Sequence, residues 1–258
     1  MSDLYIEVKG NGHNVVLMHG WGMHGGLWGQ FGEQLANEYQ THTIDLPGFG
    51  YSKDVENDFS LESLTDVVEK YIKKLNSPVT LIGWSLGGLI VQNILKRKNV
   101  TLDKVVLIAA TPSFTKKEGW NAAMDKSVFN DFANDLKLDY KKTLKRFLSL
   151  QTRGSDLGRE DLRELNTKLK ERGVPNISAL EKGLNILSNT DLRLNDKNEM
   201  PAMVVLGEKD TLVPVEVISE FEKSFSNLTK LILNKSGHAP FISSPDLCAE
   251  KIKSFINE

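Results

Sequence analysis

Short apolar runs of strand length alternate along the chain with longer stretches in which apolar residues recur at helical spacing. Leu4 to Val8 and Asn14 to Met18 read as strands, Leu27 to Tyr39 as a helix, and His42 to Asp45 as a further strand. From Ser60 to Leu75 the residues Leu61, Leu64, Val67, Val68, Tyr71, Ile72 and Leu75 fall on one helical stripe. Val79 to Ile82, Val105 to Ala109, Met203 to Leu206 and Leu231 to Leu233 complete the strands, with helices at Leu89 to Lys98, Pro214 to Phe225 and Pro245 to Ile256. Continuous apolar strands alternating with helices predict the α/β class, a mostly parallel sheet covered on both faces.

Between the strand ending near Ala110 and the one starting near Ala202 this rhythm stops. Residues 113 to 188 are helical in period, with Phe114, Trp120, Phe129, Phe132, Tyr140 and Phe147 set among charges and no convincing strand. An insertion at that point sits over the carboxyl ends of the strands as a cap on a single domain spanning residues 1 to 258. It holds 15 Lys and Arg against 11 Asp and Glu, net +4, which leaves −6 for the remainder.

Bulk properties exclude several classes of function. A net charge of −2, with 26% charged residues, gives no global attraction to nucleic acid or to an anionic membrane. The longest apolar stretches are strand-length, and the start Met1-Ser2-Asp3-Leu4-Tyr5 has neither basic nor apolar leader character. With Cys248 as the one cysteine there is no internal disulfide. A cytoplasmic monomer is expected, with no nucleic-acid or membrane partner.

The strand at Val79 to Ile82 runs into Gly83-Trp84-Ser85-Leu86-Gly87, a G-x-S-x-G pentapeptide, and then into a helix. A very tight strand-to-helix turn forces its central residue into a strained conformation and presents Ser85 Oγ above the sheet edge as a nucleophile. The pentapeptide alone is weak, since about one random chain in ten of this length contains it. A base and an orienting acid must accompany it. His238 is the one histidine downstream of Ser85, in the loop Ser236-Gly237-His238-Ala239-Pro240-Phe241 after the last strand. Asp210 follows the preceding strand in Gly207-Glu208-Lys209-Asp210-Thr211. Singly these residues read equally well as a helix cap, a turn aspartate and a surface histidine; three successive strand ends in the order Ser, Asp, His read as a triad.

Acyl transfer also needs two N–H groups aimed where negative charge develops. Leu86 supplies one at the start of its helix, and Trp21, in His19-Gly20-Trp21-Gly22 after an early strand, supplies the other. His19 reads as support for that loop. His13, His24 and His42 show no partner in the sequence and read as surface or satisfied polar residues, and Asp45-Leu46-Pro47-Gly48-Phe49-Gly50-Tyr51-Ser52 reads as a structural turn.

Taken together, HGWG, DLPGFGYS, GWSLGG, GEKDTLVP and SGHAPF make the chain resemble the α/β-hydrolase superfamily over nearly its whole length. Within it, Trp21, Trp84, the segment Arg146 to Thr152 and the ending His238 to Ser243 look like the esterases that cleave the methyl ester of pimeloyl-[acyl-carrier protein] in biotin biosynthesis. The resemblance implies a serine carboxylesterase with Ser85, Asp210 and His238 as triad, Trp21 and Leu86 as oxyanion hole, and Phe147, Leu148, Ser149, Leu150 and Gln151 lining the acyl pocket. It implies a carrier-protein partner, no cofactor and no metal. On a helical wheel Tyr140, Leu144, Phe147, Leu148 and Gln151 share one face, opposite Lys142, Lys145, Arg146 and Ser149, and Arg159 and Arg163 add a second basic turn. Lys142, Arg146, Arg159 and Arg163 suit an acidic carrier, or equally a solvated charged face. That family uses arginines for the contact; Lys142 keeps the charge without the forked geometry. A general carboxylesterase, lactonase or C–C bond hydrolase would share the triad, and a non-catalytic receptor would keep the fold. An aspartate nucleophile, as in dehalogenases and epoxide hydrolases, is disfavoured by Ser85.

Overall fold

The computed structural model describes residues 4–52, 59–75, 77–156, 158–193 and 197–258; Met1 to Asp3, read above for leader character, lie outside them. Among the described residues one seven-stranded sheet forms the centre, in the order β1-β3-β2-β4-β5-β6-β7. Its strands are β1 (Ile6–Lys9), β2 (Asn14–Met18), β3 (Gln40–Ile44), β4 (Val79–Trp84), β5 (Leu102–Ile108), β6 (Ala202–Gly207) and β7 (Leu228–Leu233). β1 pairs antiparallel with β3 at the edge, and the other pairings are parallel.

The unbroken apolar strands have a reason in the layers. Val16, Met18, Leu81, Val105 and Leu107 face one core, while Val15, Leu17, Ile82, Val106 and Ile108 face the other. The first core is closed by α2 (Leu61–Ile72) and α3 (Leu86–Arg97), the second by α1 (Gly29–Ala36) and α10 (Pro245–Asn257). Strands buried on both faces cannot alternate with polar residues. The boundary at Ser60 is chemical: its hydroxyl accepts from the Ser63 N–H at 3.1 Å and the Ser63 hydroxyl accepts from the Ser60 N–H at 2.9 Å. Where a single helix was expected from Leu27 to Tyr39, a 3-10 turn at Gly25–Trp28 precedes α1.

From 113 to 189 the chain forms α4 (Lys126–Leu138), α5 (Tyr140–Gln151), α6 (Gly158–Glu171) and α7 (Ile177–Asn189). After β6 come α8 (Ile218–Ser224) and, beyond β7, the short α9 (Pro240–Ser243), which the sequence pattern does not signal. No helix among the described residues is long and apolar enough to cross a membrane.

Candidate active site

Because β2, β4, β6 and β7 run parallel, their carboxyl ends deliver four loops to one edge of the sheet. The chain leaves β2 toward β3 on one side and returns to β4 on the other, so β2 and β4 flank the point where strand order reverses. The register pairs Met18 with Gly83, which sets the loop after Met18 beside the turn after Trp84. A Cβ on Gly87 would lie 2.2 Å from the Met18 carbonyl oxygen, a distance that backbone contact forbids to any other residue.

Ser85 occupies that turn at φ 54°, ψ −112°, the strain expected of it, costing about 1–3 kcal/mol. It is 3% exposed, and its N–H donates to the Ile108 carbonyl of β5 at 3.1 Å. Leu86 opens α3, so its N–H has no acceptor within the helix. A Cβ on Gly20 would be 2.8 Å from the Trp84 ring and 3.2 Å from Ser85 Cβ, so the Gly20 backbone packs against both residues. The Trp21 indole is held away from that backbone: Nε1 donates to the Leu180 carbonyl of α7 at 2.8 Å, and the ring meets Phe147 of α5 edge-on at 4.6 Å.

The base and acid loops meet behind the turn. His238 Nδ1 and Asp210 Oδ2 are 2.7 Å apart with both side chains fully buried, while Asp210 Oδ1 accepts from the Leu212 and Val213 N–H groups at 2.7 and 3.0 Å. A carboxylate so placed accepts a hydrogen bond from Nδ1–H, which leaves the lone pair on Nε2, and His238 Nε2 is buried without a hydrogen-bond partner among the described residues. The Trp84 Nε1–H donates to the His238 carbonyl at 2.7 Å, tying His238 to the residue before Ser85. His238 and Asp210 are thus paired, the residue before Ser85 is bonded to the His238 backbone, and the residue before Trp21 lies against Ser85.

The helix facing them is divided as its sequence suggests. Leu144, Phe147, Leu148 and Gln151 are buried, with Phe147 beside Trp21 and Leu148 in the core layer that holds Trp84 and Phe241. Ser149 is not brought to the site; it is exposed and its hydroxyl donates to the Lys145 carbonyl at 2.9 Å, and Leu150 is half-buried. A run of five consecutive helical residues cannot face one pocket, which is why the expectation fails at Ser149. Lys142, Arg146, Arg159 and Arg163 are all exposed on α5 and α6. Arg146 is partly occupied, donating to Asp135 at 2.5 Å and covering the Phe132 ring.

The contacts of five residues escape sequence reading because most of their partners lie far away in the chain. Asp45, inside the motif read as a turn, is fully buried and accepts from the Gly25 N–H at 2.6 Å, the Tyr51 N–H at 2.8 Å and Arg172 at 2.9 Å. His42 lies between Tyr71 and Asn14, His24 between the Lys168 carbonyl and the Gly26 N–H, and His13 beside Thr80. His19 lies between the Gly20 carbonyl and the Leu46 N–H. A cavity of about 160 Å³ lies between β1, β3, α1 and α6, lined by Glu7, Lys9, Glu33, Lys168, Glu171 and Arg172, and its charges make it unsuited to an acyl chain.

His19 has a measurable consequence. Burial pushes its imidazole from the ordinary 6.5 down to about 4, and burial lowers His24 as well. Between pH 6.5 and about 4 the unfolded chain takes up protons that the folded chain refuses, so stability falls as pH falls through that window. For His19 the full loss is at most about 3 kcal/mol. Urea unfolding should therefore show a lower midpoint at pH 5 than at pH 7.5; equal midpoints would count against a neutral, buried His19.

A strained serine follows β4, an aspartate β6 and a histidine β7 on a doubly wound sheet. Residues 13–245 match the family model of the alpha/beta hydrolase fold, and the chain belongs to that family. It is 35% identical to the pimeloyl-[acyl-carrier protein] methyl ester esterase of Nitrosospira multiformis, over 98% of this chain and 97% of that one. It is 37% identical to the protein of the same name from Xanthomonas axonopodis pv. citri, over 98% of each. Among solved structures, an esterase from Exiguobacterium antarcticum superposes with a TM-score of 0.88 at 23% identity, over 99% of this chain and 96% of that one. The enol-lactonase from Burkholderia xenovorans does so at 0.85 and 18%, with the same coverage, and these two show the fold alone.

Proposed function

We propose that the protein is a serine carboxylesterase that hydrolyses the methyl ester of pimeloyl-acyl carrier protein, releasing methanol, as a step of biotin biosynthesis. The carrying observation is the buried His238–Asp210 pair at 2.7 Å with Nε2 left open, its histidine bonded through its carbonyl to Trp84, the residue before a serine at φ 54°. Relatives at 35 and 37% identity over almost the full chain support the substrate.

His238 Nε2 takes the Ser85 hydroxyl proton as Oγ attacks the ester carbonyl, and Asp210 stabilises the imidazolium and fixes its tautomer. The Trp21 and Leu86 N–H groups receive the oxyanion. The tetrahedral species collapses to a Ser85 acyl ester, and methoxide leaves with the proton held on His238. Water then attacks the acyl ester, giving its proton to His238, and the free carboxylate departs as the proton returns to Ser85. The sequence needs no metal or cofactor.

Helices α4 to α7 act as the cap, with Phe147, Leu148 and Gln151 toward the acyl chain and Lys142, Arg146, Arg159 and Arg163 toward an acidic carrier. Intact-mass analysis of methyl-pimeloyl carrier protein incubated with the enzyme should show loss of one methylene mass from the conjugate. That rate should fall with added salt and with Arg163→Glu, while hydrolysis of a small free methyl ester should not respond. An inert carrier conjugate with rapid turnover of simple esters would identify a generalist instead. A salt-insensitive carrier reaction would remove the four basic residues from the docking role.

A further inference from the structure

The chain leaving α5 is laid against both loops that carry the acid and the base. Gln151 ends the helix, so its carbonyl lacks an intrahelical donor, and the main-chain N–H of His238 occupies it at 2.8 Å. Further along, the Asp156 N–H donates to the Lys235 carbonyl at 3.1 Å, three residues before His238. The packing between these points is backbone on backbone. A Cβ on Gly237 would lie 2.7 Å from the Gln151 carbonyl oxygen and 3.3 Å from that of Arg153. Gly154, at φ +84°, crosses the acid loop so closely that a Cβ there would be 2.8 Å from Lys209 Cβ and 3.1 Å from the Lys209 carbonyl oxygen. The far side is closed by Asp161 of α6, itself 4% exposed, whose Oδ2 accepts from the Ser155 and Ser243 hydroxyls, each at 2.7 Å. Ser243 ends α9, the helix that begins two residues after His238.

The loop bearing His238 is therefore gripped before, at and after the histidine by one segment, residues 151–156 with Asp161. The geometry points to that segment as a positioning element for the base, so that the helices over the site set the alignment of His238 as well as enclosing the acyl chain. The inference rests on Ser85, His238 and Asp210 acting as the triad. It separates two consequences of disturbing the cap. Altering an acyl pocket raises KM for long substrates; loosening the grip on His238 lowers kcat for every ester, including one too short to touch the cap.

Gly154→Ala wedges the segment from the acid loop and Asp161→Ala releases it from α9, and neither side chain belongs to the triad. With 4-nitrophenyl acetate both variants should lose about 10- to 100-fold in kcat at unchanged KM, the scale of a catalytic group displaced by a fraction of an ångström to one ångström. Labelling of Ser85 by a fluorophosphonate should slow by the same factor, and Lys145→Ala, on the exposed face of α5, should match the wild type. Folded variants, judged by circular dichroism, that label at the wild-type rate would overturn the inference while leaving the triad standing. A wild-type enzyme that does not label would instead sink the triad itself. Should both variants fail to fold, hydrogen exchange of the wild type decides: segments 152–156 and 236–239 should open as one cooperative unit, and independent opening would overturn the coupling.

Discussion

Replacing Ser85 with Ala is expected to lower kcat on any ester by roughly 10⁴- to 10⁶-fold, the range set by removing a nucleophile whose partners act only through it. His238 and Asp210 would remain in place, since their contacts run to Trp84, Leu212 and Val213 and not to the serine side chain. Residual hydrolysis would come from the N–H groups of Trp21 and Leu86 and from substrate binding alone. The fold should be preserved, since alanine keeps the Cβ of Ser85 and adds no new contact at φ 54°. Steady-state turnover of a simple ester, with circular dichroism to verify folding, measures both. A variant that kept even a tenth of the parent rate would remove Ser85 from the chemistry.

Arg172→Met is expected to destabilise the protein by about 3–5 kcal/mol, the cost of stripping one partner from a buried ion pair. The Arg172 guanidinium, 9% exposed, donates to Asp45 at 2.9 Å and also to Glu7, and it lies over the Tyr5 and Tyr51 rings at 5.0 and 5.5 Å. Without it Asp45 stays fully buried with only two N–H donors for its charge. In a chain of this size the loss corresponds to a fall in melting temperature of about 10 °C. Adding Asp45→Asn to the Arg172→Met chain should cost less than Asp45→Asn alone, because the charge being removed has already lost its partner. A single-variant loss below about 1 kcal/mol would mean that desolvation of the pair cancels its attraction.

The sheet was legible in the sequence because strands buried on both faces are apolar throughout, as at Val79 to Ile82 and Val105 to Ile108. The shared edge of the three motifs was legible for a topological reason: parallel strands carry their carboxyl ends to the same edge of the sheet. What sequence leaves hidden is pairing over distance. Asp45 looks like a turn residue because nothing near it announces Arg172, which stands 127 positions away. His24 and His42 look unpartnered for the same reason, being satisfied by a carbonyl of α6 and by Tyr71. Ser149 shows the reverse error, in which a continuous segment is treated as one surface although a helix turns its residues through every direction.

The indole of Trp21 has a consequence for anyone wishing to change what the enzyme cuts. Its backbone lies in the loop after β2, yet its ring is anchored to the Leu180 carbonyl and packed on Phe147, both in the helices between β5 and β6. The insertion is therefore not an interchangeable module. A cap transplanted from a relative would need to bring a matching seat for Trp21 and an arginine in the place of Arg172 to meet Asp45, and grafts that preserve both form the practical search space for new specificities.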